Sequence, residues 1–194
     1  MADLSDIITS RVRVKIIELF FSDLREIYHV RGIVREIGEE INAVRRELER
    51  LGKAGILKSE NRGNRLYYWA RKDYPLYGDL VSVVAKTTGI GREIIQNKSK
   101  LGNVNYVMFS SRFVKRKERR KDDEVDILVV GDIVLPELTS IIKREEVERE
   151  MEINYTVMSR EELLFRRKRR DPFLLGILSS GRVMIIGDED GLVG

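Results

Sequence analysis

The chain has 194 residues, 36 of them Lys or Arg and 32 Asp or Glu, giving a net charge of +4, and it contains no cysteine. That length holds one large or two small domains, the lack of cysteine excludes disulfides and thiolate metal sites, and so small a charge excess does not by itself point to nucleic acid. No apolar run approaches the roughly 18 residues of a membrane span and the N-terminus lacks a signal-peptide core, so a cytoplasmic protein without membrane association is expected.

Ile8, Val12, Ile16, Leu19 and Phe20 recur at helical spacing and predict a first amphipathic helix. Val30, Ile33, Val34 and Ile37 predict a second, shorter one that ends at Gly38. Ile41, Val44, Leu48 and Leu51 predict a third that stops at Gly52, so only Gly38-Glu39-Glu40 separates the second from the third, a spacing that sets two helices at a steep angle. Ile56-Leu57-Lys58 and Leu66-Tyr67-Tyr68-Trp69 then flank a polar tip with Gly63-Asn64, which predicts a hairpin. The lone His29 falls at the start of the second helix, and a single histidine in a chain without cysteine builds no metal site.

Residues 30–69, VRGIVREIGEEINAVRRELERLGKAGILKSENRGNRLYYW, resemble the winged helix-turn-helix of small bacterial and archaeal repressors. The resemblance implies a third helix in the major groove of double-stranded DNA, with the wing along the backbone or minor groove. Asn42, Arg45, Arg46, Arg50 and Lys53 stand off the apolar stripe of that helix. Arg pairs with guanine and Asn with adenine, while Arg62, Asn64 and Arg65 at the wing tip would meet phosphates or a narrow minor groove. The bland alternative is a solvated helix face held by i,i+4 pairs. Glu39 and Glu40 depart from the pattern: they occupy the place of a small polar cap and are expected to repel nearby phosphates.

Pro75 breaks the pattern and sets a boundary after a first domain at 1–75. Leu80, Val81, Val83 and Val84, then Ile90, Ile94, Ile95 and Leu101, predict linking helices over 76–102 whose apolar face would pair two copies as a homodimer on a palindromic site. Beyond them, strands are predicted at Asn105–Phe109, Val125–Val130, Ile153–Met158 and Val183–Ile186. Helices between them start at Pro136, at Ser159 with Glu162 as a capping box, and at Asp171-Pro172. The whole is an α+β chain, its second domain a mixed sheet at 103–187 followed by a loose acidic tail at 188–194.

Phe109-Ser110-Ser111, a basic loop over 112–123 and Glu124-Val125-Asp126-Ile127-Leu128-Val129-Val130-Gly131 resemble the minimal nucleotidyltransferase fold fused behind a winged helix. That family carries a Gly-Ser turn and an Asp-x-Asp pair, which implies that Ser110 and Ser111 hold a nucleotide and that Glu124 and Asp126 hold a metal. An active site of this kind would use Mg2+ and a nucleoside triphosphate, with Arg112, Lys115 and Arg116 as phosphate contacts. The signature is degraded. Ser110 replaces the glycine that lets a backbone approach phosphate, Glu124 lengthens the first carboxylate arm, and neutral Asn154 stands where a third carboxylate is usual, with Glu152 nearby.

The expectation is therefore a DNA-binding regulator with a transferase-like domain that is not an enzyme and requires no cofactor. Two alternatives remain: a Mg-dependent nucleotidyltransferase acting on a protein, nucleic acid or small molecule, and an antitoxin-like repressor that binds a toxin-like protein partner. Seven basic residues in Arg112–Lys121 and five in Arg166–Arg170 would extend a nucleic-acid footprint, stay solvated, or face an acidic partner.

Overall fold

The computed structural model describes residues 3–24, 26–117 and 125–194. They form a mixed α and β structure with two small sheets, divided into two compact units, Met1–Thr87 and Thr88–Gly194.

In the first unit, a short 3-10 turn precedes α1 (Arg11–Ser22), β1 (Tyr28–His29), α2 (Val30–Ile37), α3 (Ile41–Lys53), β2 (Leu57–Arg62), β3 (Arg65–Ala70) and α4 (Tyr77–Thr87). The apolar stripe of each helix is its buried face: Val14, Ile17 and Phe21 on α1, Ile33 and Ile37 on α2, Val44, Leu48 and Leu51 on α3, Val81 and Val84 on α4. Gly38 ends α2 in the left-handed region at φ 64°, its amide donating to Val34 O at 2.9 Å. A side chain in that conformation is strained, so glycine is what permits α3 to begin three residues later.

β2 and β3 form the hairpin, with Arg62 paired to Arg65 across Gly63-Asn64. The free edge of β3 takes up Tyr28 and His29, giving the order β1-β3-β2. Two residues carry no alternation, so this third strand leaves no trace in the sequence pattern. His29 precedes α2 as its N-cap residue and lies against Tyr67, ring centroids 5.8 Å apart.

The second unit runs α5 (Gly89–Gln96), β4 (Gly102–Ser110), α6 (Ser111–Val114), β5 (Ile127–Ile133), α7 (Leu135–Arg149), β6 (Tyr155–Met158), α8 (Arg160–Lys168), α9 (Pro172–Ser179), β7 (Arg182–Ile186) and α10 (Glu189–Val193). Its sheet has the order β6-β5-β4-β7, antiparallel except for the β5–β6 pair, which α7 connects. Parallel neighbours need such a crossover. Both faces of the central strands are buried, which is why Ile127-Leu128-Val129-Val130 is continuously apolar rather than alternating. Met108, Leu128 and Val130 pack with Leu163, Leu174, Ile177 and Leu192 of α8, α9 and α10. Phe109 belongs to the opposite face. It meets Phe113 of α6 edge-on, centroids 5.3 Å apart, and Arg149 at the end of α7 lies 4.4 Å above the Phe113 ring.

Two segments differ from expectation. The stretch 76–102 does not stand apart as a linker: α4 belongs to the first unit, where Tyr77 packs 5.8 Å from Phe21, and α5 belongs to the second. Their apolar faces are used within their own units. The tail 188–194 is not loose. Leu192 is fully buried, Asp188 caps α10 by accepting from the Gly191 amide at 2.6 Å, and Arg167 donates to Gly191 O at 3.1 Å. One buried leucine anchors a segment whose composition looked solvated.

The β4–β5 ladder slips between Val104 and Tyr106, opposite Gly131, whose φ is 148°. A Cβ on Gly131 would overlap the Asn103 carbonyl oxygen, so the backbones meet where no side chain fits. Gly131→Ala is expected to lower stability by ~3 kcal/mol, read as a fall in the urea midpoint.

Candidate nucleic-acid interface

In the first unit, the outward stripe of α3 holds Asn42, Arg45, Arg46, Glu49, Arg50 and Lys53, all exposed. The structure therefore brings all five nominated residues of this helix onto one face. Arg45 and Arg46 form no ion pair among the described residues, although the charge of Arg46 acts on Glu40 at the start of the helix. Arg50 pairs with Glu47 at 3.2 Å and Lys53 with Glu49 at 2.6 Å, both as intrahelical contacts.

The acidic residues around α3 act in a way that the sequence pattern did not show. Glu40 is the N-cap of α3, accepting from the amides of Asn42 and Ala43 at 2.9 Å each. Those backbone bonds hold its pKa below the usual carboxylate value. Glu39 accepts from Lys15 at 2.6 Å and pairs with Arg11 at 3.0 Å, which lowers its pKa in turn, the Lys15 bond most. The two carboxylates expected to repel phosphates are thus engaged by the fold itself. Glu47, on the inner face of α3, is buried and accepts from Ser10 Oγ at 3.1 Å and Arg13 Nε at 2.8 Å. Burial works against its charged form, but the bonds from Arg13 and Ser10 outweigh it and the pKa lies below 4.5. A glutamate between Arg46 and Leu48 reads as one more surface charge paired along its own helix, and the arrival of α1 beside α3 adds Ser10 and Arg13 and buries it.

At the hairpin tip, Arg62, Asn64 and Arg65 are exposed. Arg62 pairs with Glu60 at 2.8 Å and lies 5.5 Å from the Tyr67 ring centroid. Arg65 has no carboxylate partner among the described residues.

In the second unit, Ser110 closes β4 and Ser111 opens the single turn of α6. Two of the amides at this turn already have acceptors: Phe113 N donates to Ser110 Oγ at 3.2 Å, and Ser111 N to Gly181 O at 2.7 Å. Asp126 has no exposed surface. Its carboxylate accepts from the Asn154 amide at 2.9 Å and is bonded by the Arg112 guanidinium, which also donates to Lys117 O at 3.0 Å. Arg112 is therefore turned inward, not toward a phosphate. Lys115 and Arg116 are half-buried in the turn that follows, Arg116 at φ 48°. Glu124 and Arg119–Lys121 lie outside the described residues. Among the described residues, no three acidic, histidine or cysteine side chains converge to hold a metal, and no helix is long and apolar enough to cross a membrane. Of the second basic cluster, Arg166 pairs with Glu162 at 2.8 Å and Asp171 at 3.1 Å, while Lys168, Arg169 and Arg170 are exposed.

Compared with protein-family models, with curated proteins and with solved structures, the chain gives no match.

Two outcomes are expected. Folded-state pKa values below the ordinary one mean that Glu39, Glu40 and Glu47 contribute stability that is fully present above about pH 4.5 and lost as pH falls through their folded values. The urea midpoint should fall between about pH 5 and about pH 3, and Glu47→Gln should make that fall shallower. In the second unit, Asp126→Ala strands the Arg112 guanidinium in a largely buried position and should cost ~3 kcal/mol in denaturant unfolding. Replacing both residues, as Asp126→Ala with Arg112→Met, should restore part of that loss.

Proposed function

We propose that this chain is a DNA-binding transcriptional regulator, with a winged helix-turn-helix in its first unit and a nucleotidyltransferase-like domain that no longer transfers nucleotides in its second. The observation that carries the reading is the exposed face of α3. Arg45 and Arg46 stand exposed on it and form no ion pair among the described residues, while Glu39 and Glu47 are paired with cations of the unit and Glu40 caps the helix. The three-residue turn between α2 and α3 and the hairpin that follows, tipped by Arg62 and Arg65, support the same reading.

In this scheme α3 enters the major groove. Arg45 and Arg46 read guanine edges and Asn42 an adenine, while Arg65 and Arg62 neutralise phosphates beside them. A homodimer would set two copies of α3 about one helical turn apart on a palindromic operator. The second unit contributes no transfer chemistry. An Arg112-bound Asp126 has its charge compensated without a metal, and the turn at Ser110-Ser111 has acceptors for its amides. Phosphoryl and nucleotidyl transfer rest almost wholly on electrostatic positioning of the phosphates, and those groups supply little of it.

A gel shift of the full chain on the DNA upstream of its own gene tests the reading. Binding should weaken with salt. Arg45→Ala and Arg46→Ala should each cost about 1–3 kcal/mol on the operator, whereas Arg65→Ala should reduce the slope of log affinity against log salt by roughly 0.9. No complex at low salt would end this proposal.

A further inference from the structure

In the second unit, α8, α9 and α10 bury Leu163, Leu174, Leu178 and Leu192 but leave an apolar channel open between them. Leu164 (50% exposed), Leu175 (48%) and Val193 (41%) line a cavity of about 600 Å³ there. These are large apolar side chains gathered at one place, rather than scattered singly over the surface, and such a patch marks an interaction site.

The rim of the channel is cationic. Arg166 has its charge met by Glu162 and Asp171. Arg167 donates to the Gly191 and Leu192 carbonyls at 3.1 and 3.5 Å, so its charge has no carboxylate against it among the described residues. Lys168 is exposed and likewise without one.

We propose that this channel seats an acidic amphipathic helix of a partner protein. Its apolar stripe lies on Leu164, Leu175 and Val193, and its flanking carboxylates meet Lys168 and Arg167. A channel bounded by helices and floored with leucine suits a helix presenting anchors at i, i+3, i+4 and i+7. A second copy of this chain is disfavoured, because a two-fold contact through this surface would set the same cations opposite one another. Nucleic acid is disfavoured because phosphates gain nothing from a leucine floor. This proposal does not depend on the DNA-binding reading, which concerns the first unit.

A labelled helical peptide of about 18 residues, with leucine at those spacings and glutamate on its flanks, is titrated into the full chain by fluorescence anisotropy. Saturable binding is expected, weakened at least about tenfold by Leu175→Glu and by Lys168→Glu. Lys168 is exposed, so Lys168→Glu keeps the test open if Leu175→Glu unfolds the chain, as circular dichroism would report. Three results would overturn the proposal: equal binding of a lysine-flanked version of the peptide, direct binding of a labelled oligonucleotide that Leu175→Glu abolishes, or self-association of the chain that Leu175→Glu abolishes.

Discussion

The engagement of three glutamates around α3 by partners inside the unit is the constraint on which the character of the first unit depends. Glu40 is held by the backbone amides at the start of α3, Glu39 by Lys15 and Arg11, and Glu47 by Ser10, Arg13 and Arg50. The bonds from Ser10 and Arg13 fix α3 against α1, those from the Asn42 and Ala43 amides satisfy a helix end that would otherwise present bare amides, and Lys15, Arg11, Arg13 and Arg50 set positive charge against Glu39 and Glu47. The segment 39–53, with four Glu against four Arg and Lys, thereby presents Arg45 and Arg46 on the outer face of α3, on which the proposed DNA contact rests.

The second unit applies the same chemistry with the opposite result. Asp126 is drawn into the protein, where the Arg112 guanidinium and the Asn154 amide satisfy it. A buried carboxylate requires such partners, because desolvation without them costs several kcal/mol. Here an arginine from the neighbouring turn fulfils that requirement, and a residue type that elsewhere binds metal becomes a tie between β5, α6 and the entry to β6.

The two ends of the second unit's helical layer also behave differently from their composition. The acidic stretch 188–194 is held by Leu192 and by Arg167, whereas the strongly apolar PFLLGILS of α9 keeps Phe173 and Leu175 at the surface. Burial followed the position of each side chain relative to the sheet, not the polarity of its neighbours.

Most of the elements were legible in the chain because periodicity and punctuation are local. The three- and four-residue recurrences gave α1, α2 and α3, Gly38 and Gly63-Asn64 marked the turns, Pro136 and Asp171-Pro172 marked helix starts, and an unbroken apolar run marked β5. The nominated residues of α3 fell on one face for the same reason, since 3.6 residues per turn is a property of the helix alone. What pairing would do was beyond local pattern. The strand at Tyr28-His29, the capping role of Glu40, the burial of Glu47 and the Arg112–Asp126 bond each join residues to partners that the pattern did not reveal, and three of the four span long stretches of chain. The amino-acid sequence by itself marked most of the helices and strands and which faces of them are apolar. Which charges are consumed inside the protein and which remain for a partner was decided only by the tertiary structure, because an ion pair or buried hydrogen bond depends on distance in space and not on distance along the chain.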